Sequence, residues 1–435
     1  MATENPRVWF KNITLENVRS FGSKQTINFT DKEGKAAQWN VILGDNGTGK
    51  TTVLRSLVLS YLAIEAYDGR KTFYESLERN NKLNTSIWTE YHIFPERFFR
   101  HHFIRTKNLK DGIKLLSEKD PEHTDWNTEK LDFGLFGYGA ARRIDNRKLS
   151  QSEFYSETDA ELQNVITLFR DDISLINAEE WLLQSDYISL KEEKFKGQYL
   201  KVLNLLKTLF RNEVFDIYID TKSGNPKVFF KTHYGDVRLH ELSLGYKTLV
   251  AWMVDLAKSL FDRYQGSENP LAEPAVCLLD EIDLHLHPKF QRNIIQFLTE
   301  TFPNTQFIVT AHSPLIVVAA EERPLDANII LLKREGDQTV VVNDPVDVSK
   351  WSVDQILNSD LFGHVPARSE SLTQLRSERD ALLEKSKLTK KEKARLAELD
   401  ENIGFIPFGQ DQAEIKAESI IQQLADVLRK QQQVQ

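Results

Sequence analysis

The sequence predicts an α/β fold organised around a parallel sheet, and three segments carry that prediction. Trp39-Asn-Val-Ile-Leu43 reads as a short buried strand that runs into the glycine-rich Gly44-Asp-Asn-Gly-Thr-Gly-Lys-Thr51, after which Thr52 to about Ala66 keeps helical apolar spacing. Ala275-Val-Cys-Leu-Leu279 is an apolar run that ends on Asp280 and Glu281. Gln306-Phe-Ile-Val-Thr310 is another, and it ends close to His312. Short unbroken apolar runs suit strands covered on both faces, as parallel sheets require.

The remaining elements follow in chain order. Residues 8–17 and 24–29 alternate apolar and polar side chains and read as two strands. Residues 67–213 are polar, aromatic and irregular to about 130; then comes the compact apolar piece Leu131–Arg142, and then helical patterns at Asp159–Arg170 and Leu190–Leu209. Strand signals return at Val214–Asp220 and Lys227–Lys231, with Ser223-Gly-Asn-Pro226 as the turn of a hairpin. A helix starts near 242 and another near Lys289, and a hairpin over Ile329–Leu332 and Thr339–Val342 turns at Arg334-Glu-Gly-Asp337. From about 350 the chain changes character. Ser369–Glu384 and Thr389–Asn402 each carry one leucine-rich stripe, Thr389-Lys-Lys-Glu392 is a capping box, and Gly404 is placed to end the second helix.

Composition limits the function. The 435 residues allow two or three packed units, and 40% hydrophobic content is enough for a core. Lysine and arginine total 56 against 64 acids, a net charge of −8, so a global basic field for nucleic acid is absent. Cys277 stands alone, which excludes a disulfide-stapled scaffold. No run approaches the ~18 apolar residues of a membrane span, and the first residues lack a signal-peptide core. The expectation is a soluble cytoplasmic protein with no membrane contact.

Gly44-x4-Gly49-Lys50-Thr51 fits the phosphate-loop pattern in full, in its strand-to-helix setting. Phosphate oxygens need several donors converging on a small concavity, and glycines let backbone N–H groups close around them. The helix that follows adds its positive end. Gly44, Asp45, Asn46, Gly47, Thr48, Gly49, Lys50, Thr51 and Thr52 are therefore expected to hold a nucleotide, with Lys50 on the outer phosphates and the Thr51 hydroxyl on Mg²⁺. An apolar strand has no reason of its own to end on two costly charges. A metal and a water supply one: Asp280 holds Mg²⁺ together with Thr51, and Glu281 orients or deprotonates the attacking water. His312 falls at a strand C-terminal end, the edge where α/β sheets place ligands, within reach of a terminal phosphate.

Glu241-Leu-Ser-Leu-Gly245-Tyr246 resembles the Leu-Ser-x-Gly signature of ABC-type ATPases, and the order phosphate loop, signature, acid pair, histidine is the order of that family. Leu279-Asp-Glu-Ile-Asp-Leu-His-Leu-His-Pro288 and Thr310-Ala-His-Ser-Pro314 are similar to its soluble SMC-like, RecF-like and OLD-like branch, not to transporters. Asn17-Val-Arg-Ser-Phe21 looks like the same branch, in which the arginine, here Arg19, approaches the phosphates. The resemblance implies a P-loop ABC-ATPase head with an N-terminal antiparallel β subdomain. It divides the chain into 1–66 (head, with the phosphate loop), 67–213 (an inserted, mainly helical lobe), 214–345 (head, with signature, acid pair and histidine) and 346–435 (a helical tail for partner or oligomer contacts). It also implies ATP and Mg²⁺ as ligands. Ser243 and Gly245 would cap the ATP held by a second copy, which makes a homodimer or higher homo-oligomer.

Phe136-Gly-Tyr-Gly-Ala-Ala-Arg142 recurs in stand-alone members and is expected near the nucleotide, while no segment answers to the family's glutamine loop. The tail, from Trp351 to Gly363 and on through its helical pair, looks like stand-alone ATPases of bacterial anti-phage systems, the Septu type foremost. That implies a slow, regulatory ATPase beside a nuclease partner subunit of the HNH type, with no nuclease site in this chain. The competing reading is a RecF- or SMC-like ATPase of DNA repair or DNA ends. Arg97-Phe-Phe-Arg-His-His-Phe-Ile-Arg105, which interleaves cations with aromatics, is its candidate DNA or RNA contact, against a half-buried element with arginine stems on its surface.

Overall fold

A computed structural model describes residues 7–62, 85–94, 97–105, 114–115, 133–144, 160–210, 213–221, 226–323, 326–343, 345–366, 369–385, 387–403, 416, 420 and 421. The chain forms two compact units, residues 1–356 and 357–435.

The first unit is built on a six-stranded sheet. Its strands are β3 (Trp39–Gly44), β7 (Gly134–Tyr138), β13 (Ala275–Leu279), β14 (Thr305–Thr310), β15 (Ala327–Glu335) and β16 (Gln338–Val342), in the order β16-β15-β3-β14-β13-β7. All pairings are parallel except β15 with β16. Every residue of β7, β13 and β14 is buried, as their apolar runs require. The register sets Val309 beside Val41 and Leu279 beside both Val309 and Tyr138. The C-terminal ends of β3, β14, β13 and β7 therefore share one edge, where ligands sit in open α/β sheets.

Helix α1 (Lys50–Leu62) leaves the end of β3 and is buried nearly all round, because an antiparallel sheet covers its other side. That sheet runs β2-β1-β4-β5-β6 over Val8–Glu16 (β1), Gln25–Asn28 (β2), Thr85–Ile93 (β4), Arg97–Arg105 (β5) and Lys114–Leu115 (β6). Phe10, Phe21, Phe29, Leu54, Leu57, Phe133, Val276 and Ile308 form one core between it, α1 and the main sheet. Trp39 stacks on Phe307, with ring centroids 4.4 Å apart.

The stretch 67–213 thus supplies strands to both sheets as well as its helices. β4 and β5 extend the N-terminal antiparallel sheet, and β7 forms an edge of the parallel one. Arg97–Arg105 is a strand, and its side chains lie outside the described residues. The helices are α2 (Ala178–Ser189) and α3 (Glu193–Leu209). A short parallel pair, β8 (Arg143–Ile144) with β9 (Ser174–Leu175), accompanies them. The hairpin expected near 214–231 is present as β10 (Val214–Asp220) and β11 (Lys227–Thr232), joined by β12 (Gly235–Arg238); residues 222–225 of its turn lie outside the described residues. Helix α4 (Leu244–Arg263) follows, then α5 (Pro288–Thr301) and α6 (Pro314–Glu321).

The second unit contains α7 (Glu370–Leu383) and α8 (Lys390–Ile403). Arg395 pairs with Glu378 through two 2.8 Å bonds, and Arg379 Nε donates to Asp400 at 2.5 Å. The capping box at the start of α8 is formed: Thr389 N donates to Glu392 Oε2 at 2.8 Å, and Glu392 N to Thr389 Oγ1 at 3.4 Å. Gly404 and the glutamine-rich end at 429–435 lie outside the described residues.

Candidate nucleotide site

The loop between β3 and α1 takes its shape from three glycines with positive φ: Gly44 (145°), Gly47 (80°) and Gly49 (95°). A Cβ on Gly44 would stand 2.5 Å from the main-chain oxygen of Leu332, and one on Gly49 would overlap Ser20 Oγ. Both positions need glycine, Gly44 to admit the main chain of Leu332 and Gly49 the side chains of Ser20 and Phe21, and both to take a positive φ. Thr48 Oγ1 donates to Asp45 O at 2.8 Å, and Thr48 O accepts from Thr339 Oγ1 at 2.8 Å and Ser20 Oγ at 3.3 Å. The loop is thus tied to the β15–β16 hairpin and to the β1–β2 turn. Lys50 is buried and curls back on its own loop, donating to Gly44 O at 2.7 Å and Asp45 O at 3.1 Å. Burial pushes its ammonium below the ordinary lysine range, against the opposing pull of Asp280 and Glu281.

The register brings the acid pair to this loop. Thr51 Oγ1 donates to Asp280 Oδ2 at 2.7 Å, and Thr310 Oγ1 to Asp280 Oδ1 at 2.6 Å. Asp280 N is bound to Tyr138 O at 2.9 Å, and Glu281 N to Thr310 Oγ1 at 2.7 Å. Asp280 is buried, whereas Glu281 is partly open at the edge with φ of 51°, a left-handed conformation rare for a side-chain-bearing residue. Buried Arg142 reaches the same turn from the end of β7, donating to Asp280 O at 2.7 Å and to Glu281 O.

His312 lies on the same edge, exposed, with its main-chain N–H on Asp283 Oδ2 at 3.0 Å. Ser313 caps α6 and donates to Gln291 Oε1 at 2.7 Å, so the His312 turn is braced against α5. Arg19 is exposed on the β1–β2 turn with φ of 45°. It lines a cleft of about 430 Å³ with Ser20, Arg334, Asp337, Gln338 and Thr339, directly beside Thr48.

The structure therefore brings residues 44–52, Asp280, Glu281 and His312 to one edge, with Arg19 next to them. It does not bring the signature there. Ser243 is exposed and caps α4, its Oγ accepting from Tyr246 N at 3.5 Å. Gly245 packs on the loop after Glu281, where a Cβ would overlap His285 O. Among the described residues, Ser243 has no hydrogen bond to the phosphate loop.

The donor set suits a nucleotide with a hard cation. It offers glycine-lined backbone, one lysine, and a hydroxyl–carboxylate pair of oxygen donors at Thr51 and Asp280, the small protein contribution Mg²⁺ takes when phosphates supply the rest. In the sequence Tyr138 and Arg142 stand out only as members of the segment expected near the nucleotide, and Thr310 and Thr339 only as strand residues, none with a role of its own. A threonine at the very end of an otherwise apolar strand was the available signal for Thr310.

A family model described as "AAA domain, putative AbiEii toxin, Type IV TA system" matches residues 39–319. The chain is 27% identical over 359 residues to a Septu protein PtuA of Bacillus mycoides (strain KBAB4), covering 82% of this chain and 45% of that protein. It thus spans less than half the length of that curated relative. It is 24% identical over 376 residues to a "Retron Vc95 probable ATPase" of Vibrio cholerae serotype O1 biovar El Tor, covering 72% of each. Among solved structures, an SMC head bound to the C-winged helix domain of ScpA matches with a TM-score of 0.44 at 15% identity, over 77% of this chain and 97% of that one.

Proposed function

Because the chain belongs to the family described as "AAA domain, putative AbiEii toxin, Type IV TA system", we propose that it is an ABC-type ATPase of anti-phage defence whose copies pair around ATP to control a nuclease partner. The observation that carries the ATPase reading is the 2.7 Å bond from Thr51 to Asp280, which couples the phosphate loop to the acid pair. Glycine-lined backbone and Lys50 bind the phosphates. Thr51 and Asp280 hold Mg²⁺, which when bound neutralises phosphate charge. Glu281 orients the attacking water and accepts its proton. His312, on the same edge, contacts the terminal phosphate.

The exposed signature supports pairing. Ser243 is exposed at the start of α4 with no hydrogen bond to the phosphate loop among the described residues, so together with Gly245 it would complete a site by meeting the loop of a second copy. Occupancy then sets dimer stability, and hydrolysis acts as a switch. The defence role is supported by the similarity to a Septu protein and a retron ATPase, whereas the HNH-type nuclease partner rests on the resemblance of the tail to Septu-type ATPases alone. No helix among the described residues is long and apolar enough to cross a membrane.

The test is Glu281→Gln with saturating MgATP, followed by light scattering on a sizing column. The expected result is a trapped pair that hydrolyses slowly. A monomer at saturating nucleotide would remove the pairing, and wild-type turnover would remove the base assignment.

A further inference from the structure

Arg142 is the one residue of the Phe136–Arg142 motif whose side chain reaches the acid pair. It is 4% exposed, and a buried cation normally answers a carboxylate. Its hydrogen bonds go instead to main-chain carbonyls: Nε to Gly139 O at 3.2 Å, and Nη2 to Asp280 O at 2.7 Å and to Glu281 O. The carboxylates of Asp280, Asp283 and Glu281 supply the surrounding negative field without bonding it.

The chain leading to Arg142 is built to hold it. Gly137 and Gly139 let β7 pass tightly against residues 165–168, where a Cβ on Gly139 would overlap Thr167 O. Thr167 Oγ1 donates to Gly137 O at 2.8 Å and accepts from Gly139 N at 3.4 Å. β7 and β13 are parallel neighbours, so residues 139–142 and 280–281 emerge side by side. Arg142 (φ 33°) and Glu281 (φ 51°) both take the left-handed conformation there.

We infer that Arg142 is a positioning residue for hydrolysis, one that fixes the left-handed turn at Glu281 through the two carbonyls and so sets the direction of its carboxylate. The inference rests on the reading of Glu281 as the base. Arg142 touches no reacting atom; its effect passes through Glu281. It also ties the Phe136–Arg142 segment to the site.

Steady-state and single-turnover ATP hydrolysis by the full chain test this. The variants are Arg142→Met, Arg142→Lys, Glu281→Gln and the double variant Glu281→Gln with Arg142→Lys. Arg142→Met should lower kcat by about 100-fold, and Arg142→Lys, which keeps the charge but not the fork, by about 10-fold, with KM within about twofold of wild type. In the Glu281→Gln background, Arg142→Lys should change the residual rate by less than about twofold, because nothing remains to be positioned. An equal fall in both backgrounds, or a rise in KM with kcat unchanged, would overturn the inference while leaving the base assignment standing. If Glu281→Gln turns over like wild type, the base assignment fails and the inference falls with it. Should Arg142→Met not fold, Arg142→Lys carries the test by itself.

Discussion

Thr310→Val isolates the contact that holds the acid pair together. The side chain is fully buried, and valine matches its shape. The hydroxyl makes two bonds at once, donating to Asp280 Oδ1 at 2.6 Å and accepting from Glu281 N at 2.7 Å. A hydrogen bond to a charged group contributes about 1.5–3 kcal/mol, and an orphaned buried N–H costs about 1–3 kcal/mol more. Asp280 keeps its bond from Thr51, so the lower half of the combined range applies, about 3 kcal/mol. Thr310→Ser keeps the hydroxyl and removes one methyl, a loss of about 1 kcal/mol. Urea unfolding of the two variants side by side should therefore place valine about 2 kcal/mol below serine. A kinetic reading should follow, since the Glu281 main chain loses an anchor: hydrolysis by the valine variant falls well below that of the serine variant. If valine is as stable as serine, the two bonds do not carry the load assigned to them.

Other perturbations separate the parts of the site. Lys50→Ala should weaken ATP binding by about 100-fold in calorimetry, the scale of losing a charge-assisted phosphate contact. Gly245→Ala forces a Cβ onto His285 O, and should abolish ATP-dependent pairing of the Glu281→Gln chain in light scattering while binding to its own loop persists. Tyr138→Phe removes the 3.0 Å donor to partly buried Asp255 and should lower the melting temperature, by the stability equivalent of about 1–3 kcal/mol. Burial holds the Asp255 carboxyl above the ordinary carboxylate range. Its contribution to stability is therefore present below the unfolded value and lost as pH rises through the raised one. Melting curves across mildly acid pH should show that loss in wild type and a flatter profile in Asp255→Asn.

The parallel sheet was legible because strands buried on both faces leave unbroken apolar runs, as in Ala275–Leu279 and Gln306–Thr310. β4 and β5 were not. Thr85–Ile93 mixes threonine, glutamate and histidine with aromatics, so neither alternation nor an apolar run stands out, and its partner β1 lies some 75 residues away in sequence, as in Trp88 opposite Thr14. The site divides the same way. Gly44–Thr51 is local, a chain segment whose own conformation makes the cradle. Thr310, Thr339 and Arg142 act through bonds to residues 30, 291 and 138 positions away, which only the sheet register brings into reach.

The conformation at Glu281 bears on what the turn is for. A side-chain-bearing residue in the left-handed region costs about 1–3 kcal/mol that glycine would not, and Arg142 adds a second such residue beside it. Burying a guanidinium with only carbonyl acceptors costs several kcal/mol more. If the turn served only to leave β13 and enter the loop before α5, glycine at 281 would do so at less cost, and an apolar residue at 142 would spare the buried charge. The arrangement makes physical sense when the carboxylate itself is needed in one direction at that edge. The bonds from Arg142 and Thr310 then hold the main chain on either side of it, and stability is given up locally for the placement of one oxygen pair. Glu281 differs in this respect from Asp283, two residues on. Asp283 Oδ2 accepts from the His312 N–H and braces the neighbouring turn, its Oδ1 being buried without a hydrogen-bond partner among the described residues, while Glu281 is partly open at the edge.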